Sequence, residues 1–355
     1  MKFLTRTGLA KAVLGPMPGA LLFASSPAEY GVPLAAAEVE AMQALSRRSF
    51  EKAGLAKGDK VLFAVAHDGS PAIALLAQAA APLASSVAIT SPKGRLRLLS
   101  TIRNQKPNVL VTTPCGAADF LARLYMEFNV DPVELNLTKI ILVGEIASPG
   151  VRKRIAKEFE ADLSELYCEP VFGAALAVRR GGAWSVADDK TLSVASLSAD
   201  EIVGTDLAGD GELLLRPTWS AALADTGIRT GQVIQGDAKD AGLFNHTVGD
   251  HVLARGQFVS LPLLRRHLAL IDGISRWTLT VDRGDRTLDN LTLTIAFDRE
   301  SLVSNPMWKG RIQQAVAAAT PVHIEIMTEL LAPAAPAGKD AVIDLRGHHL
   351  GVARG

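Results

Sequence analysis

The sequence predicts an α/β protein: a mostly parallel sheet with an attached β subdomain, followed by a small α+β C-terminal lid domain. Three observations predict it. Between Lys60 and about Tyr167 short apolar, β-rich runs alternate with segments of helical period. After Gly173 the runs shorten and are separated by Gly and Asp turns, and past Gly249-Asp250 helices and strands mix in a compact order. The division expected is therefore 1–249 and 250–355.

In the first part, residues 61–66, 86–90, 109–113 and 140–143 read as strands, being short and rich in Val, Ile and Leu. Residues 71–81, 95–105, 116–128 and 150–159 carry apolar side chains at helical spacing. Short strands apolar on both faces and joined by helices pair in parallel through right-handed crossovers. Residues 211–216 belong to the β subdomain. In the C-terminal part a helix is expected at 261–270, strands near 277–281 and 291–297, a helix at 306–318 and a strand at 322–326. The small, Pro-rich stretch 331–338 reads as a loop.

Composition narrows the function classes. At 355 residues, 48% hydrophobic and 21% charged, the chain can fill the cores of two domains. Its 37 basic and 37 acidic residues cancel, so it lacks the broad positive field of a nucleic-acid or anionic-membrane binder, and neither partner is expected. Cys115 and Cys168 are too few for a disulfide framework or a zinc site, which points to the cytoplasm and to no metal site. Lys2 and Arg6 precede an apolar stretch, Ala10 to Ala24, that loosely resembles a secretory leader, but Pro16 and Pro18 interrupt it and export is not expected. No apolar run reaches the roughly 20 residues that span a bilayer.

Arg229-Thr230-Gly231-Gln232 is the most informative run. Around it, in order, stand Phe50 to Asp59, Asn129 to Leu135, Gly144-Glu145 after a strand and Gly211-Glu212-Leu213. Asp250 then precedes Arg255-Gly256 by five residues, and Gly338-Lys339 leads into Val342-Ile343-Asp344. Over nearly the whole chain this order resembles the phenylacetate-coenzyme A ligase branch of the adenylate-forming, or acyl-CoA synthetase, superfamily. Members activate a carboxylic acid with ATP to an acyl adenylate, then turn the C-terminal domain so that coenzyme A displaces AMP.

The resemblance implies a truncated adenylate-forming N-terminal domain plus lid. If the family chemistry is retained, it implies ATP, magnesium and coenzyme A as cofactors. The ligand would be an aryl or acyl carboxylate or its CoA thioester, and a homodimer or a partner subunit would cover the sheet surface left bare by a missing leading segment. It places Lys339 against the reacting carboxylate. Tyr167, Arg229, Thr230, Gly231, Gln232 and the hinge Asp250 fall around the nucleotide, and His67, Asp68, Gly144, Glu145 and Cys168 around the acyl substrate.

Four departures bear on ATP. The family's Gly-Thr-Thr-Gly phosphate loop is here Ser25-Ser26-Pro27-Ala28-Glu29-Tyr30-Gly31-Val32-Pro33, with one glycine, two prolines and an acidic residue. Such a loop offers few backbone donors to a polyanion. The magnesium motif Tyr-Gly-x-Ser-Glu reads Tyr167-Cys168-Glu169-Pro170-Val171, and Val171 cannot ligate a hard cation. Gln232 replaces the carboxylate that accepts the ribose hydroxyls, and His246-Thr247 replaces a Gly-Arg pair.

Other clusters carry less. His67-Asp68-Gly69-Ser70 cannot align three adjacent groups as a hydrolase triad and lacks the Gly-x-Ser-x-Gly turn. His348-His349 reads as surface, and Cys115 as a buried thiol. Two function classes stay open: an acyl-CoA ligase-like enzyme with an altered nucleotide site, and a non-catalytic relative that binds an acyl group, a CoA thioester or a protein partner.

Overall fold

Five parallel strands form the centre of the first part, as the alternating pattern requires. The computed structural model describes residues 1–11, 21–24, 31–65, 71–182, 184–205, 207, 209–235, 243–284, 287–330 and 341–352. From edge to edge one sheet runs Ser86–Thr90, Lys60–Ala64, Val109–Thr112, Lys139–Val143, Asp162–Glu169, Ala174–Arg180 and Trp184–Val186. The first five are parallel and the last two antiparallel. The β subdomain expected from Gly173 onward thus starts later, because Ala174–Arg180 extends the parallel sheet.

The reason lies in a helix that the apolar pattern misses, Ala36–Lys52. Its buried positions, Met42, Leu45, Ser46, Ser49 and Phe50, follow helical spacing, but two are serines. Ser49 Oγ donates to Ala175 O at 2.8 Å, and Ala175 N donates to Ser46 Oγ at 3.0 Å. The hydroxyls satisfy strand backbone where the pairing of Asp162–Glu169 with Ala174–Arg180 slips between Tyr167 and Cys168. The expected helix at 116–128 is Pro114–Arg123, capped by Thr113, with a wider turn at Leu124–Phe128.

Asp59 anchors the bottom of this sheet, accepting from Lys139 Nζ at 2.7 Å, Asn108 Nδ2 at 2.8 Å and Ala56 N at 2.7 Å. Burial works against the ionised carboxyl, yet these donors outweigh it and hold its pKa below the ordinary value of 3.8. A depressed carboxylate adds stability that is present above pH 3.8 and lost as pH falls through the folded-state value. Asp59→Asn is expected to cost about 2 kcal/mol at pH 7. That cost should shrink toward zero in thermal melts taken well below pH 3.8; a pH-independent cost would refute the assignment.

A second sheet runs Lys2–Thr5, Thr226–Gln235, Gly211–Leu215, Leu192–Ala195 and Ile202–Gly204, with Leu243–Thr247 also paired to Thr226–Gln235. The leader-like N-terminus therefore contributes a strand, Lys2–Thr5, parallel to Thr226–Arg229. One core fills the space between the sheets, with Leu9, Val171, Phe172, Trp219 and Ile228 in it.

Beyond residue 250 a four-stranded sheet, Glu325–Leu330, Asn290–Phe297, Ile274–Asp282 and Ala341–Asp344, carries helices Leu261–Leu268 and Pro306–Ala319. The strand expected at 322–326 begins at Glu325; Val322 and Ile324 are core side chains on irregular backbone, so their apolarity reported burial rather than pairing. No helix among the described residues is long and apolar enough to cross a membrane.

Candidate functional site

The parallel strands Lys139–Val143 and Asp162–Glu169 end side by side, presenting Gly144-Glu145 and Tyr167-Cys168 at the edge where open α/β sheets bind ligands. From the second sheet, Thr226–Gln235 brings Gln232 opposite them. These five residues, separated by up to 88 positions, line one cavity together with Trp184 and Phe244. Its free volume is about 40 Å³. One water needs about 10–15 Å³ by this measure, so the space is narrow.

Aromatic rings line it. Phe244 lies 4.9 Å from Tyr167 and 4.7 Å from Trp184 between ring centroids, the second pair edge to face. Arg179 stacks 5.3 Å above Trp184 and is ion-paired to Glu165. Gln232 Oε1 and Trp184 Nε1 are buried with no hydrogen-bond partner among the described residues.

The loop after Tyr167 is internally satisfied. Tyr167 OH donates to Glu169 Oε2, and Val171 N donates to Glu169 Oε1 at 3.1 Å. Arg6 Nη2 lies 3.0 Å from the same Oε1, and both side chains are buried. Glu169, the carboxylate of the run Tyr167 to Val171, is thus paired with a guanidinium. No group of three or more His, Cys, Asp or Glu side chains among the described residues is arranged to hold a metal ion. Burial, then the neighbouring Glu169, pushes the Tyr167 hydroxyl well above its usual pKa and the Cys168 thiol up to about 12. A thiol so perturbed is no nucleophile near neutrality.

Arg229, Thr230 and Gly231 do not reach this cavity. Arg229 Nη1 pairs with the fully buried Glu212 at 2.9 Å, its Nη2 and Nε reach Asp200, and Phe3 lies under its guanidinium. Gly231 N donates to Glu212 Oε1 at 2.8 Å, and Thr230 Oγ1 donates to Leu213 O at 2.9 Å. Gly231 holds φ at +76° within the strand while its carbonyl accepts from Val248 N, a conformation that costs glycine little. Asp250 Oδ2 accepts from Thr7 Oγ1 at 3.2 Å. His67, Asp68 and Lys339 lie outside the described residues, as do residues 25–30 of the altered phosphate loop and the stretch 331–338.

A second cavity of about 160 Å³ opens on the other side of Glu145, lined by Leu98 and Phe120 and by Lys93, Arg95, Asp119 and Arg255. Glu145 borders both spaces. Its Oε2 accepts from Cys115 N at 2.8 Å, while Oε1 is buried and unpartnered among the described residues. Burial, followed by the charge of Asp289, raises the Glu145 pKa. Burial and then the Glu145 carboxylate push the Cys115 thiol far up, so Cys115 is an inert buried residue. Gly256, at φ +74°, brings Arg255 in: a Cβ there would sit 3.1 Å from Thr113 and 3.8 Å from Glu145.

Lys93, Arg95, Asp119, Trp184 and Phe244 carried no sequence signal, because no motif surrounds them and only tertiary packing brings them to the strand ends. His348 and His349, expected at the surface, are half-buried. His349 Nδ1 lies 3.0 Å from Thr247 Oγ1, and burial plus Arg346 pushes His348 down to about 4. His349 forms an isolated β-bridge with Thr247, a contact over 102 residues that local sequence does not encode.

No family model and no curated protein matches the sequence. Solved structures do. Against 2-hydroxyisobutyryl-CoA ligase with 2-HIB-AMP and CoA in the thioesterification state, the chain is 15% identical, with 97% of it and 80% of the ligase chain covered and a TM-score of 0.77. An open conformation of that ligase, with 2-HIB-AMP and CoA, gives 16% identity, coverage of 96% and 81%, and a TM-score of 0.56. The amide bond synthetase McbA from Marinactinospora thermotolerans gives 13% identity, coverage of 90% and 67%, and a TM-score of 0.65. At these identities the chain shares the fold of these enzymes.

Proposed function

We propose that this chain is a phenylacetate-CoA ligase-like protein of the adenylate-forming superfamily. It binds an aryl or acyl carboxylate, or its CoA thioester, in the cavity beside Glu145, and its ATP step has lapsed. On this reading residues 1–249 form the binding domain and 250–355 the lid, and the protein works in the cytoplasm. The single observation that carries it is the contrast between the two spaces around Glu145. The one bordered by Tyr167, Cys168 and Gln232 has about 40 Å³ and is narrowed by Phe244, while the one bordered by Arg255 keeps about 160 Å³.

The chemistry of the larger space suits an acyl group with a polar end. Leu98 and Phe120 supply apolar walls, and Lys93, Arg95 and Arg255 supply donors for a carboxylate or for the oxygens of a thioester arm. Glu145, whose burial favours the neutral form, has one oxygen unpartnered among the described residues. The superposition on a thioesterification state, with a TM-score of 0.77 against 0.56 for the open form, favours a chain arranged for the thioester half of the family's cycle.

Calorimetric titration with phenylacetyl-CoA and with phenylacetate tests the proposal. Saturable binding to the thioester or the acid, in the absence of nucleotide, is expected; no heat from either ligand, with Leu98→Arg behaving as wild type, would sink it. Glu145→Gln separates binding from folding. A raised carboxyl pKa means stability that is full below the ordinary value of 4.5 and lost as pH rises through the folded-state value. The amide keeps an acceptor for Cys115 N, so Glu145→Gln should match wild type near pH 4.5 and exceed it in Tm at pH 8.

A further inference from the structure

We propose that the C-terminal part is held in one orientation by two built-in straps, one from each end of the chain, so that it does not turn about Asp250. The inference stands on contacts alone and holds whichever ligand occupies the cavity.

The first strap is N-terminal. Pairing of Lys2–Thr5 with Thr226–Arg229 fixes the short helix Arg6–Lys11 at the junction between the two parts. Arg6 there joins three elements. Its Nε donates to Thr230 O at 2.9 Å, its Nη2 meets Glu169 at 3.0 Å, and its guanidinium lies 4.2 Å from the ring of Phe258, beyond the junction. The next residue, Thr7, donates to Asp250 Oδ2. Rotation about Asp250 would pull Phe258 from a buried cation and break the Thr7 bond.

The second strap is C-terminal. Thr247 N donates to His348 O at 2.7 Å, Leu350 N to Thr247 O at 2.8 Å and Gly249 N to Gly351 O at 2.8 Å. The tail is itself tied down within the C-terminal part, since His349 N donates to Asp344 Oδ2 and Arg346 Nη2 to Leu253 O. Residues 247–250, the only covalent link between the parts, are thus clamped from both sides. Thr287 Oγ1 adds a cross-contact to Asp119 Oδ1 at 3.0 Å.

Distance measurement by double electron–electron resonance tests the straps, with nitroxides on keto side chains introduced at the exposed Lys57 and Lys309 so that the native thiols stay untouched. Wild type is expected to show one distance population, unchanged by phenylacetyl-CoA or by ATP with magnesium. Thr7→Val, which removes only the hydroxyl bond to Asp250, should broaden it. Thr7→Val combined with deletion of residues 348–355 should give at least two populations while still melting cooperatively. Two populations in wild type, a ligand-driven change of distance, or a single unbroadened population in Thr7→Val would each overturn the proposal.

Discussion

ATP with magnesium is expected to give no saturable heat on titration into this protein up to millimolar concentration, and no pyrophosphate release with any carboxylic acid. Sub-millimolar affinity corresponds to more than about 4 kcal/mol of binding free energy. The nucleotide would have to find that energy in a narrow space, since Phe244 and Trp184 crowd Tyr167 and leave about 40 Å³ beside it. Its ribose would meet the neutral Gln232, and an ionised acceptor makes roughly twice as strong a hydrogen bond as an amide. Magnesium would meet Glu169 already bound by Arg6. Each missing electrostatic partner costs about 2.7–4 kcal/mol in a transition state, and groups acting as a unit fail together.

The variant Phe244→Ala sharpens the test. Removing the half-buried ring should cost about 2 kcal/mol of stability and open the smaller cavity. Adenosine could then enter, while adenylation would stay absent because the phosphate side is unchanged. Carboxylate-dependent pyrophosphate release by wild type would end the proposal of a lapsed ATP step.

Arg229→Met is expected to lower stability by about 3–5 kcal/mol, a fall in Tm on the order of 10 °C, and to leave thioester affinity unchanged. The loss arises because Glu212, with no exposed surface, would lose the guanidinium that neutralises its buried charge. Glu212→Gln in the same background should recover part of it, since the double variant buries no unpaired charge. A drop in ligand affinity at unchanged Tm would instead return Arg229 to the binding site that its motif implies.

Much of the fold was legible because it rests on local periodicity. The strand Ser86–Thr90 and the helix Arg95–Gln105 begin and end where their apolar spacing and flanking residues place them. Misreadings came where a tertiary partner changed the meaning of a residue type. Ser46 and Ser49 are polar in sequence and core in the fold, because Ala175 offers both of them backbone partners. Val322 and Ile324 are apolar and buried, yet they pair with no strand.

For the candidate site, the sequence by itself determined which chemical groups are present: an amide at 232, a thiol at 168, a valine at 171 and a single carboxylate at 169. It also placed Gly144-Glu145 directly after the strand at 140–143, whereas the strand Asp162–Glu169 that sets Tyr167 beside them was not read from it. Only the tertiary structure decided where the space lies and who holds the charges. Arg6 reaches Glu169 across 163 residues by sequence number, and Phe244 closes on Trp184 from another sheet. Such contacts depend on how two sheets pack, a non-local balance of burial and pairing that no short run of residues encodes.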